Sequence, residues 1–146
     1  QIFDAHHSAD RAKMFFHSSS YTANPIACAA ARANLEIWRA EPVIERIAAL
    51  STLQRSHLDR LAALPGVSNA RSIGTITALE LGAGNGDYMS ALGPRLLAFF
   101  GERDLLLRPL GNTIYVMPPY CIGAADLATV HDAIADAIEW AAQGQS

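Results

Sequence analysis

An α+β fold, with helices packed on a small and largely antiparallel sheet, is the architecture this sequence predicts. Three observations predict it. Apolar stripes at helical spacing alternate with short apolar runs too brief for helices. Two of those runs are joined by a tight turn rather than by a helical crossover. Finally, 146 residues, 51% hydrophobic and 17% charged, suit a compact core that needs neither disulfide nor metal to hold it.

The elements follow in order. Residues 1–13 are mixed and polar, fit for a short helix, and lead into Met14-Phe15-Phe16, a candidate buried strand. His17-Ser18-Ser19-Ser20-Tyr21-Thr22 is hydroxyl-rich and aperiodic, hence a loop. Asn24-Pro25 then starts a helix running to about residue 39, with Asn as the cap and Pro at the first helical position. Its face is almost all small residues, among them Ala27, Cys28, Ala30 and Ala31, and predicts close packing on both sides. Glu41-Pro42 ends it and opens a second helix, whose stripe of Ile44, Ile47, Leu50, Leu58 and Leu61 runs until Pro65-Gly66 stops it.

A strand is predicted from Thr75 to Leu81, closed by Gly82-Ala83-Gly84-Asn85-Gly86. Residues 88–100 resume a helical pattern, interrupted or kinked near Gly93-Pro94. Leu105-Leu106-Leu107 and residues 113–117 read as two short strands around the turn Pro109-Leu110-Gly111-Asn112. A final amphipathic helix covers residues 125–141. The sequence contains no internal repeat and no low-complexity tail.

Charge excludes some functions. Fourteen acidic side chains against eleven basic ones give a formal charge of −3, and the ten arginines are scattered around a single lysine, Lys13. Neutralising phosphates on a nucleic acid or an anionic membrane takes clustered cations, so neither is an expected partner. Cys28 and Cys121 lie far apart in Ala-rich or apolar settings without C-x-x-C spacing, and are expected as reduced, buried thiols; a single disulfide stays open. With no apolar run of membrane-spanning length and no basic-then-apolar leader, the expectation is a soluble, cytoplasmic protein.

Several residues could carry chemistry. Hydroxyls of Ser18, Ser19 and Ser20 beside a capped helix start suit a phosphate or carboxylate, although a solvated cap is the plainer explanation from the loop alone. Arg108 ends an apolar run directly before Pro109, where its fork could clamp a carboxylate with two parallel hydrogen bonds or make an ordinary salt bridge. Tyr115, Pro118, Pro119 and Tyr120 form a stiff aromatic segment that on its own suggests packing. His6-His7 are about 100° apart if helical and lack supporting ligands, so no metal site is predicted; His57 and His131 are expected at solvent or at a boundary, and only His17 adjoins a candidate loop. Gly82, Gly84 and Gly86 lack the strand-to-helix context of a dinucleotide loop and are taken as a turn.

Taken together, His17-Ser18-Ser19-Ser20-Tyr21-Thr22-Ala23-Asn24-Pro25-Ile26-Ala27-Cys28-Ala29-Ala30-Ala31 and Leu107-Arg108-Pro109-Leu110-Gly111-Asn112-Thr113-Ile114-Tyr115-Val116-Met117-Pro118-Pro119-Tyr120 resemble the class III pyridoxal-phosphate-dependent aminotransferases. The second motif points, within that class, to the members that serve biotin biosynthesis with S-adenosylmethionine as amino donor and 8-amino-7-oxononanoate as acceptor. The resemblance implies the C-terminal small domain of a fold-type I transferase over residues 41–146, preceded by the end of the large cofactor-binding domain over residues 1–40. It further implies a homodimer with shared active sites, in which Ser20, with Ser19, reaches the cofactor phosphate of the partner subunit. Ser18, Arg108 and Tyr115 would face the substrate, Arg108 holding its carboxylate. Many members carry Gly-Pro-Thr where this chain has Ser18-Ser19-Ser20, which keeps a hydroxyl at the third place only.

The departure from the class is a missing lysine. Aminotransfer on pyridoxal phosphate needs a lysine that bonds the cofactor and carries the proton, and an acid at the ring nitrogen. In the family both precede the stretch matched here. Lys13, in Asp10-Arg11-Ala12-Lys13-Met14, has neither the Ser-Lys-Ala nor the Ser-Lys-Gly context and is expected to be a surface residue. The catalytic lysine is therefore expected upstream of residue 1, and the chain alone is expected not to transaminate. The alternatives are an ω-amino-acid–pyruvate aminotransferase of the same class, or a non-catalytic module derived from one.

Overall fold

The computed structural model describes residue 4 and residues 7–13, 23–82 and 87–143. They fall into two compact units, Gln1–Pro42 and Val43–Ser146.

In the first unit Arg11–Lys13 form a 3-10 turn, started by Asp10, whose carboxylate accepts the Ala12 N–H at 3.0 Å. Helix α1 spans Pro25–Ala40. The expected start is present: Asn24 Oδ1 accepts the Ile26 N–H at 3.0 Å, and Pro25 occupies the first turn, where a missing N–H costs nothing. The expected tight packing on both sides is not found in this chain, because α1 has no buried residue. Its Cys28 is exposed, as is Cys121, and both are free thiols, so the expectation of buried cysteines is corrected for both. The candidate strand at residues 14–16 lies outside the described residues.

The second unit is the α+β arrangement anticipated. Helix α2 (Val43–Ala62), strands β1 (Val67–Ile73) and β2 (Ile76–Leu81), helix α3 (Leu92–Gly101), strand β3 (Thr113–Val116) and helix α4 (Ala124–Gln143) follow in order. The sheet is antiparallel throughout, ordered β1-β2-β3. Helix α2 packs on β1, β2 and α4, and α3 meets α4. Alternation along the strands sends Thr77, Leu79 and Leu81 of β2 and Ile114 and Val116 of β3 to the helices, where they join Leu58, Leu61, Leu96, Phe100, Leu127 and Ile134. Each such aliphatic or aromatic side chain contributes roughly 1.5–3 kcal/mol by leaving water.

Two element assignments need correction. Strand β1 is absent from the sequence-based reading because VSNARSI is polar and mostly exposed, and carries a bulge between Ser68 and Arg71 with Asn69 at φ 48°. Leu105-Leu106-Leu107 is not a strand. It is extended, with Leu105 and Leu107 packed on the core while Leu106 is 99% exposed. The run has the burial of a strand without its ladder: the Leu105 N–H goes back to Phe100 O at 3.0 Å, and Pro109 has no donor. The helical pattern read from residue 88 is interrupted, as one of the two expected outcomes had it: α3 starts at Leu92, so Pro94 falls in the first turn, among the residues whose N–H groups have no helical partner.

Candidate functional site

Arg108 stands in the extended run 105–109, on the alternate side from Leu105 and Leu107, so the core-facing leucines turn its guanidinium outward. It is exposed and lines an open groove of about 270 Å³ with Tyr88, Ser90, Pro94, Leu97 and Leu110. The salt bridge weighed as an alternative for Arg108 is not formed with any described residue. Other arginines are engaged: Arg60 with Asp132 at 2.6 Å, Arg71 with Glu80 at 2.9 Å, and Arg103 over the ring of Phe99 at 3.5 Å. In Arg108 the fold therefore presents a permanent cation in a mostly apolar groove, the chemistry that receives a carboxylate.

The turn after Arg108 is fixed by backbone bonds. Leu110 and Thr113 exchange N–H···O bonds at 2.9 and 3.0 Å, and Asn112, 4% exposed, pairs with Leu81 in both directions. The Leu81 N–H donates to Asn112 O at 2.9 Å, and Asn112 Nδ2 donates to Leu81 O at 3.0 Å. Tyr115 follows two residues after Thr113, half-buried on β3, in register with Ala78 of β2 and so with Arg71 of β1. Thr113 and Tyr115 face the side of the sheet turned away from the helices, and the bridge from Leu110 to Thr113 brings the exposed series Leu106, Arg108, Leu110 to that same side.

Ser18, Ser19 and Ser20, with His17, lie outside the described residues, as do His6 and residues 83–86. The helix start that follows the serines is described. Pro25 has no N–H and the Ile26 N–H goes to Asn24, so the first two donor positions of α1 are not on offer to an anion. A phosphate placed there would depend on the serine hydroxyls, a donor set chemically suited to it. Lys13, the single lysine of the sequence, is exposed at the end of the 3-10 turn. Among the described residues no cluster of His, Cys, Asp and Glu is arranged to hold a metal, and no helix is long and apolar enough to cross a membrane.

Two polar constellations were not foreseen. Glu80 is 3% exposed, and its Oε1 accepts from Asn69 Nδ2 at 2.8 Å and from Arg71 at 2.9 Å. His131, expected near solvent, is fully buried, because α4 turns it toward α2, where it stacks on His57 at 4.5 Å. Its Nδ1 donates to Leu127 O at 2.9 Å, leaving Nε2 an acceptor with no partner among the described residues. Burial, foremost, holds the His131 pKa below the usual histidine value; the hydrogen bond to Leu127 and the charge of Asp132 oppose that shift, while His57 and Arg60 reinforce it. His57 is lowered too, first by burial and then by Arg60. A periodic pattern places a histidine on a helix but does not say how deep the facing helix comes.

Comparison with known proteins adds family information. The family model for Aminotransferase class-III matches residues 1–138. An adenosylmethionine-8-amino-7-oxononanoate aminotransferase of Synechococcus elongatus is 38% identical over 94% of this chain, which spans 32% of that protein. The crystal structure of the enzyme of the same name from Methanocaldococcus jannaschii superposes with a TM-score of 0.72 at 31% identity, covering 87% of this chain and 30% of that one. A thermostable omega transaminase mutant from Pseudomonas jessenii gives a TM-score of 0.71 at 25% identity, over 87% of this chain and 30% of its own. The chain thus spans about a third of the length of the relatives it matches.

Proposed function

The chain belongs to the class-III aminotransferase family, and on that premise we propose that the complete protein transfers an amino group from S-adenosylmethionine to 8-amino-7-oxononanoate. Similarity to enzymes of that name supports the substrate pair. The observation that carries the proposal is the guanidinium of Arg108, without a partner among the described residues and held by a fixed turn at the edge of a groove. It would receive the carboxylate of the acceptor through two parallel N–H···O bonds and so orient the far, ketone-bearing end of the chain. Tyr115, on the same side of the sheet, would form part of the pocket wall. Residues 1–40 would close the large domain and residues 41–146 form the small one.

Pyridoxal phosphate, when bound, supplies the electron sink through which an amino group leaves one substrate and enters the other. This chain's residues fit its phosphate end only: Ser19 and Ser20 would hold the phosphate of the partner subunit's cofactor in a homodimer, with Ser18 toward the substrate. Lys13 is not assigned to bond the cofactor. That role, and the acid facing the ring nitrogen, would fall to residues preceding this segment in the complete protein. Cytoplasmic location accords with a biosynthetic enzyme acting on small acids.

The test supplies the complete protein with 8-amino-7-oxononanoate and either S-adenosylmethionine or alanine as donor. Diamine formed with S-adenosylmethionine and not with alanine is expected. The reverse would favour the ω-transaminase alternative, to which the Pseudomonas jessenii likeness also points.

A further inference from the structure

We infer that Gly111, seated against the backbone of Asp87, is a positioning residue that aims Arg108, with Asn112 as its lock; the inference rests on Arg108 being the carboxylate clamp. Among the described residues, 105–109 have no strand partner and Arg108 no side-chain partner, so its outward direction comes from the core-packed Leu105 and Leu107 and its reach along the groove from the turn that follows. That turn touches two separate elements at van der Waals limits. Gly111 sits at φ +62°, and a Cβ there would lie 1.8 Å from Asp87 O and 2.7 Å from the Cα of Tyr88. The Asn112 N–H donates to the same Asp87 carbonyl at 3.2 Å. On the second side Gly93, near the start of α3, lies so close that a Cβ on it would be 3.1 Å from Gly111 O.

No side chain can stand at Gly111 without driving the turn away from Asp87, and the contact is backbone on backbone, so no flexible side chain can yield. Arg108 is three residues upstream on the same extended strap, and the groove it faces is walled by the two segments the turn touches: Tyr88 and Ser90 on one, Pro94 and Leu97 on the other. The contact therefore sets the distance between the guanidinium and the opposite wall of the groove. Asn112 holds the remaining direction through its paired bonds to Leu81, which tie the turn to the end of β2. Gly111 and Gly93 also line the groove; in this scheme Gly111 acts through Arg108, and the double variant with Arg108→Ala separates that from a direct contact.

The test measures KM for the acid acceptor and for the amino donor in the complete enzyme, for Gly111→Ala, Arg108→Ala and the double variant, with thermal melting to confirm folding. Gly111→Ala is expected to raise the acceptor KM by about 10- to 100-fold, the loss a misplacement near 1 Å produces, with the donor KM unmoved. In the Arg108→Ala background it should add nothing further. Equal increases for both substrates, no increase, or an undiminished effect without Arg108 would each overturn the inference and leave the clamp itself standing. An unchanged acceptor KM in Arg108→Ala alone would remove the clamp and, with it, this role for Gly111. Should Gly111→Ala fail to fold, Gly93→Ala probes the same contact more gently; a smaller acceptor-specific rise that vanishes without Arg108 is expected, and a rise that persists overturns the inference.

Discussion

Arg108 and His131 differ in what surrounds them, and each carries a prediction. An outward guanidinium that forms no ion pair with any described residue adds little to folding, so its removal should register in binding. Arg108→Ala in the complete enzyme should raise the acceptor KM by the loss of a charge-assisted contact worth about 1.5–3 kcal/mol, roughly 10- to 150-fold, with its melting temperature retained. His131 should register in stability. Its pKa in the folded chain is lowered, while the unfolded chain keeps a value near 6.5. Its stabilising contribution is therefore complete above about pH 6.5 and is lost as the pH falls below it toward the folded value, because the unfolded chain then takes up the proton that the folded one resists. Urea titrations at stepwise lower pH should show the stability falling by up to about 1.4 kcal/mol per pH unit for this residue, a slope that His131→Leu reduces. The exposed place of Arg108 before a turn was legible because its neighbours, an apolar run and Pro109, mark that turn; the burial of His131 was not, because it is decided by α2, about seventy residues away in sequence.

The β1-β2 hairpin shows how an element can be hidden by its own chemistry. Strand β1 faces solvent along most of its length and contributes polar ties instead of a hydrophobic stripe, with Asn69 and Arg71 converging on Glu80. Arg71 is half exposed whereas the Glu80 side chain is 4% exposed, so removing the arginine strips a buried carboxylate of one of its partners. Arg71→Ala should therefore cost about 2 kcal/mol, between the ~1 of surface pairs and the 3–5 of buried ones, as read from denaturant midpoints. A change below about 0.5 kcal/mol would show that Asn69 and the other neighbours of Glu80 suffice. Helix α1 was legible to within a residue at either end because Asn24-Pro25 is a local signal. Local signals also explain the error at residues 105–107: three consecutive leucines announce burial, and only long-range pairing distinguishes a strand from an extended strap.

At the scale of the molecule, the unit Val43–Ser146 has its own core, whereas α1 buries none of its residues and leaves Ile26 80% and Trp38 41% exposed. The sheet side bearing Tyr115 also carries Ile73 at 77% exposure. In the proposed assembly the large domain and the partner subunit cover these surfaces. The fold class was legible in this chain because periodicity and turns are written locally; the site was legible only in part, since the groove needs Arg108, Tyr88 and Pro94 brought together from three segments. The central claim is that this segment carries groups that hold substrate and cofactor without covalent bonds, while the lysine that bonds the cofactor lies elsewhere in the complete protein. The most direct measurement incubates the complete protein with pyridoxal phosphate, fixes the cofactor to its lysine by borohydride reduction and maps the modified peptide. A modified lysine outside these 146 residues is the predicted result; modification of Lys13 would contradict it.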